Sequence, residues 1–369
     1  MRAHHAGGCL PPLHTGNPLF QRNLIQVALL YAAAIASGYA ASLLRVPLPW
    51  MIGPLLLAAI VSLADKQPTI PWITRPIGQL VVAASVGLFF TPAALTAVSQ
   101  QIVPMLAVAL LTIAAGFVAA LVLMRIAHID VVSASLASIP GGPVEMAALA
   151  ARHGAQSGTV AFAQILRIAL LVLIVPPLLV ALDGEGADPA TALANGPVDY
   201  LGALLLLAIA LGGGFFLKLI GMTTPFFLGP LAATAAASAF MMPVSAPPYF
   251  VLAAAQVLLG VWLGAMFKRE LFVRSPMLLV AVLASTAVLL LLTAIMALVI
   301  SWMTGIAWQT MVLATAPGSV TEMALTAKIL DQEVALVTAY HVLRIFIILP
   351  LVPLIFALVA RLSGRPGAD

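Results

Sequence analysis

Apolar residues run along this chain in blocks of about 20, the length that lets an α-helix cross the hydrocarbon core of a bilayer. The blocks lie at 24–44, 47–64, 76–92, 102–126, 131–151 and 157–182, and again at 199–219, 223–241, 249–267, 276–303, 309–329 and 334–360. This pattern predicts an all-α integral membrane protein. Polar stretches punctuate it. Residues 1–23, carrying His4, His5 and His14 among Gly and Pro, read as a disordered cytoplasmic tail. Residues 183–198, with Asp183, Glu185 and Asp188, read as an acidic linker, and 361–369 as a C-terminal tail.

The two sets of blocks, 24–182 and 199–360, repeat each other. At an offset of 177 residues, Pro140, Gly141, Glu145 and Met146 fall on Pro317, Gly318, Glu322 and Met323. Leu166, Arg167 and Pro176 fall on Leu343, Arg344 and Pro353, and Gln79 and Gly87 on Gln256 and Gly264. One residue is lost upstream, where Pro49, Gly53 and Pro54 match Pro225, Gly229 and Pro230. Shared hydrophobicity alone does not reproduce Pro, Gly, Glu and Arg in register, so the chain contains an internal duplication.

Lys and Arg favour cytoplasmic loops, and this bias tests how the blocks cross. With all of them crossing, the loop cations divide evenly between the two sides. If the fifth block of each half dips in and returns to the same side, only Arg45 and Lys328 are left outside. The expected fold is therefore two inverted repeats, each of five transmembrane helices plus one re-entrant or broken helical hairpin, with both termini cytoplasmic. Such halves are a recurrent plan of secondary transporters.

Composition agrees with the class and removes others. Of 369 residues, 63% are hydrophobic and 8% charged, with a mean hydropathy of +1.15. The net charge of +4 is spread thinly, so no basic footprint for nucleic acid exists. Cys9 is the only cysteine, which excludes an intramolecular disulfide. His128, His153 and His341 are scattered and share no ligand spacing with carboxylates, so no metal, no cofactor and no enzymatic activity is expected.

The candidate chemistry lies where the fifth block is interrupted, at Ala-Ser-Ile-Pro-Gly-Gly-Pro-Val-Glu-Met-Ala over 137–147 and its copy at 314–324. Gly141, Gly142 and Gly318 allow the backbone to reverse, and the prolines break the helical hydrogen-bond ladder. Two arms of roughly 10 residues each reach about the bilayer midplane. Arg167 and Arg344 are expected at the same depth, as are Glu145 and Glu322, the other charges inside membrane blocks. In a functional reading, the half-helix N-termini with Gly141, Gly142, Gly318, Ser319, Arg167, Arg344, Gln79 and Gln256 bind substrate, and Glu145, Glu322 and His341 couple proton or sodium movement. In a structural reading, the glutamates cap half-helices, the arginines neutralise them, and His341 merely bonds a backbone carbonyl. Gln164 and His341 each precede an arginine by three residues, on the same helical face.

The stretch from Leu48 to Leu55, together with the paired Pro-Gly-Gly-Pro-Val-Glu-Met and Pro-Gly-Ser-Val-Thr-Glu-Met motifs, resembles the AbrB family of bacterial membrane proteins. The resemblance covers about residues 28 to 358. It implies a bacterial inner-membrane protein with this tandem duplication; members carry the labels regulator or ammonia monooxygenase, and the resemblance assigns no site residues. The expected function is ion-coupled transport of a small anionic or zwitterionic solute by alternating access, its partners being the solute, a proton or sodium ion and the bilayer, with a homodimer left open. The alternative is a membrane sensor or regulatory protein that affects gene expression without net transport.

Overall fold

The computed structural model describes residues 18–64, 70–183, 199–222 and 224–362. Every regular element among them is helical. The first half contains α1 (Pro18–Leu43), α2 (Pro49–Leu63), α3 (Thr74–Gly87), α4 (Pro92–Gln100), α5 (Ile102–Ala127), α6 (Val131–Ser138), α7 (Pro143–Arg152) and α8 (Ser157–Asp183). The second contains α9 (Tyr200–Leu219), α10 (Pro225–Ala239), α11 (Tyr249–Ala265), α12 (Arg269–Arg274), α13 (Pro276–Thr304), α14 (Trp308–Thr315), α15 (Val320–Ile329) and α16 (Val334–Leu362). The tail over 1–17, the linker over 184–198 and the end over 363–369 lie outside the described residues. Helix reaches slightly into the expected tails: α1 opens at Pro18, and α16 runs to Leu362.

Among the described residues, six helices are long and apolar enough to cross a membrane, α1, α5, α8, α9, α13 and α16, and the bent pair α3 and α4 taken as one span makes a seventh. Large side chains such as Leu219, Trp72 and Trp302 stand exposed on the outside, as a lipid-facing surface requires. The chain is a multi-pass helical membrane protein. Length does not bear out five full crossings per half, because α2 and α10 have 15 residues, α11 has 17 and α3 has 14. At 1.5 Å per residue a 15-residue helix spans only about 22 Å. These short helices pack on each other, α2 against α11 and α3 against α10, so protein rather than lipid surrounds much of their length.

Packing repeats with the sequence. α1 lies on α2 as α9 lies on α10, and α6 and α7 lie on α8 as α14 and α15 lie on α16, while α5 and α13 pack together. Polar side chains tie the halves at matched points: Ser62 Oγ donates to the Ala265 carbonyl at 3.4 Å and Ser238 Oγ to the Leu88 carbonyl at 2.8 Å. Both α2 and α10 start from a left-handed residue, Leu48 (φ 54°) and Thr224 (φ 51°), followed by a proline at the first helical position. Proline disfavours right-handed helix in the residue before it, so this junction sets a sharp helix start.

One element departs from the expected pattern. α4 lies at 92° to α3 and buries none of its residues. Its start is fixed by Thr91, whose Oγ1 accepts from the Ala94 amide at 3.3 Å, and by Pro92 in the first turn.

Glycines set the closest backbone approach within each half. A Cβ on Gly53 would strike the backbone of Ser37 and Gly38 on α1, and one on Gly229 the backbone of Gly213 and Gly214 on α9. Gly212, beside Gly213 on α9, faces open space. Gly229→Ala is expected to lower the thermal stability of purified protein by about 1–3 kcal/mol through backbone overpacking. Gly212→Ala is expected to leave stability unchanged or raise it by up to about 1 kcal/mol. A lower melting temperature for the second variant than for the first would contradict this packing.

Candidate functional site

Both interrupted segments are built the same way. Pro140 has no N–H and pushes Ile139 into extended backbone, so α6 ends at Ser138; Pro317 does the same to Ala316 and α14. α7 then restarts with Gly142 as its N-cap and Pro143 in the first turn, and α15 restarts after Ser319. No side chain caps either restart. Each restart thus presents a positive dipole end.

The opposite ends of the break leave carbonyls without helical partners, and the next long helix supplies donors. On α8, Gln164 Nε2 donates to the carbonyls of Leu136 at 2.7 Å and Ile139 at 2.8 Å. Arg167 donates to Ser138 O at 2.8 Å and Ala137 O at 3.3 Å, and also to Gln164 Oε1. On α16, His341 Nε2 bonds Leu313 O at 2.8 Å, and Arg344 donates to Ala316 O at 2.7 Å and Gly318 O at 2.8 Å. Arg344 also donates to His341 Nδ1 at 2.8 Å. An arginine has only donors, so Nδ1 must accept, and the ring proton sits on Nε2 facing the Leu313 carbonyl. Both imidazole nitrogens are therefore committed to positioning, in the manner of the backbone-bonded histidine that the sequence left open.

The arginines thus spend their donors on helix C-terminal carbonyls, where a cation also meets the negative dipole end. They do not neutralise the glutamates. Oε2 of Glu145 and Oε2 of Glu322 are each buried with no hydrogen-bond partner. The capping-box expectation holds only in part: Ser319 makes no side-chain cap, and the carboxyl of Glu145 folds over Gly142, where a Cβ would collide with it.

The two tips share one cavity of about 100 Å³. Its wall includes Pro140, Gly141, Gly142, Pro143 and Glu145 from the first half and Gly318, Ser319, Thr321, Glu322 and Arg344 from the second. Gln79 lines it as well. Arg167, Gln256 and His341 are buried and do not line it. Gln256 is fully enclosed, with both amide atoms unpartnered. Among the described residues, no group of three or more His, Cys, Asp or Glu side chains is placed to hold a metal ion.

One cavity residue and one buried cation escaped the sequence reading. Arg75, counted there as a loop cation, sits at the start of α3, lines the cavity and stacks its guanidinium 4.5 Å from the ring centre of Trp262 on α11. Its spacing from Gln79, four residues on and on the same helical face, was the available signal. Lys328, also counted as a loop cation, is instead buried near the end of α15, where Nζ donates to Ser85 Oγ of α3 at 3.0 Å.

An all-helical membrane protein with duplicated broken helices around a central cavity is the class that these features define. The chain belongs to the family described as "Transition state regulatory protein AbrB", whose model matches residues 50–360. It is 24% identical over 366 residues to "Uncharacterized protein YhjN" of Bacillus subtilis (strain 168), covering 93% of this chain and 95% of the relative. It is 25% identical over 329 residues to "Putative regulator AbrB" of Escherichia coli (strain K12), covering 88% and 93%.

The matched roles of Gln164 and His341 give a direct test. Glutamine at 341 offers a donor for the Leu313 carbonyl and an acceptor for Arg344, as Gln164 does in the first half. His341→Gln is expected to keep thermal stability near that of the parent. His341→Ala, which leaves a buried guanidinium and a carbonyl short of partners, is expected to cost about 1–3 kcal/mol. Equal loss in both variants would show that the imidazole does more than position Arg344.

Proposed function

We propose that the protein is a secondary transporter of the bacterial cytoplasmic membrane, moving a small anionic or zwitterionic solute by alternating access with proton or sodium coupling. One observation carries the reading. Gln79 and Gln256 occupy equivalent positions of the duplicated sequence, yet Gln79 lines the cavity whereas Gln256 is enclosed with an unsatisfied amide. Buried polar groups without partners are rare. A protein with two end states explains one: each glutamine faces the cavity in turn, and this conformation is one end of the cycle.

In this reading the halves are inverted, each with five crossings, and the broken segments enter from opposite faces to meet at the cavity. Arg75 and Thr224, at the starts of α3 and α10, line the cavity on the side that the charge bias makes cytoplasmic, so the conformation is inward-facing. The positive N-terminal ends of α7 and α15, together with Arg75 in the same cavity wall, receive the negative group of the solute. Glu322, with an unpartnered oxygen, carries the coupling ion. Arg167, Arg344, Gln164 and His341 hold the tips in place. The protein acts as a carrier and not as an enzyme. The name of the E. coli relative favours a second reading, in which the same cavity senses a ligand without moving it.

Single cysteines at 79 and at 256, in a chain with Cys9→Ser, separate the two readings. Alternating access predicts that a membrane-impermeant maleimide labels position 79 from the cytoplasmic side and position 256 from the opposite side. A pH or sodium gradient is expected to shift the two in opposite senses, and Glu322→Gln to abolish that shift. Labelling at 79 alone under every gradient would sink the transport reading and leave the sensor.

A further inference from the structure

Arg75 is placed as a receptor for a negative group. Its guanidinium lies in the cavity wall with one face on Trp262, and its Nε is buried with no hydrogen-bond partner. Stacking of this kind occupies the face of the guanidinium and leaves its in-plane N–H fork open, the geometry that receives a carboxylate through two parallel hydrogen bonds.

Negative charge faces it across the same cavity. Glu322 is 6% exposed, and its Oε2 is buried without a partner, as is Oε2 of Glu145. A buried carboxylate oxygen without a donor is costly, so a donor is expected from whatever fills the cavity. Arg344 does not supply it, because two of its nitrogens are held by carbonyls and by His341. The cavity thus offers one cation, Arg75, and two carboxylates that each keep one oxygen unpaired.

That inventory selects among ligands. A simple anion meets Arg75 but also two carboxylates that repel it. A simple cation satisfies a carboxylate and leaves Arg75 unpaired. A molecule carrying one charge of each sign satisfies both ends and adds no net charge to a site surrounded by lipid. Size narrows the class further: in the same measure one water needs roughly 10–15 Å³, so a cavity of about 100 Å³ fits a solute of only a few heavy atoms.

We infer that the cavity binds an amino-acid zwitterion, with its carboxylate on Arg75 and its ammonium on Glu145, which leaves Glu322 for the coupling ion. This deepens the transport reading and rests on the same cavity, but it concerns binding and can be tested without flux. Glycine, β-alanine and 4-aminobutyrate serve as zwitterionic probes, with acetate and ethylammonium as single-charge controls, titrated calorimetrically into full-length protein in detergent. At least one zwitterion is expected to bind about tenfold or more tightly than either control. Arg75→Gln is expected to weaken that zwitterion by about tenfold or more, as loss of one charge-assisted contact implies, and Arg75→Lys by less.

Parent-like melting temperature and a single gel-filtration peak certify the folded state of each variant; if Arg75→Gln fails this check, Trp262→Ala, which removes the stacking platform of Arg75, replaces it with the same expected direction. Acetate binding as tightly as the best zwitterion, no binding by any of the three, or unchanged affinity in the folded variant overturns the inference. Arg75-dependent zwitterion binding without flux in proteoliposomes would uphold this assignment while defeating the transport reading. Gradient-driven uptake of acetate alone would do the reverse.

Discussion

A backbone carbonyl inside a membrane must be paired by the protein, since no water is there to do it. Breaking a helix inside the protein exposes several such carbonyls, and the fold of this chain is arranged around satisfying them. Two long helices, α8 and α16, each bring a side chain and an arginine three residues apart to the broken end of a short helix. The buried guanidinium, which would be prohibitive alone, is stabilised by carbonyls that would themselves be unpaired without it. Each group makes the other tolerable, and the positive restart of the next half-helix is left free to face the cavity.

From this constraint the rest follows in order. The arginines are occupied, so the glutamates of the same segments are not neutralised by them and keep an oxygen open. The two tips are brought to one place because α2, α3, α10 and α11 interleave between the halves, packed closely through glycines and short polar contacts. Their shortness as membrane helices and their burial within the protein have the same cause, for a helix sheathed by other helices has no need to match the bilayer thickness.

Much of this was legible in the sequence because the duplication printed the important residues twice. The helix spans, the interruption at Pro140 and Pro317, and the same-face placement of Gln164 and Arg167 or His341 and Arg344 all follow from spacing alone. What spacing does not carry is which groups meet across the halves. Arg75 looks like a loop cation until Trp262 is placed beneath it, and Lys328 until Ser85 is placed beside it. Gln79 and Gln256 look equivalent because their sequence contexts are, and only the three-dimensional arrangement separates one in a cavity from one enclosed in the core. α4 was missed because its nine residues are too few for a crossing and fall between two longer apolar blocks; the Thr91-Pro92 start was its local mark.

The two tips are copies that have drifted. Pro143 begins one half-helix where Val320 begins the other, and a glutamine supports one arginine where a histidine supports its counterpart. An assembly of two identical single-repeat subunits is bound by symmetry to carry the same residue at both places. Fusion into one polypeptide lifts that bond, so that one tip can become more tightly braced than its copy.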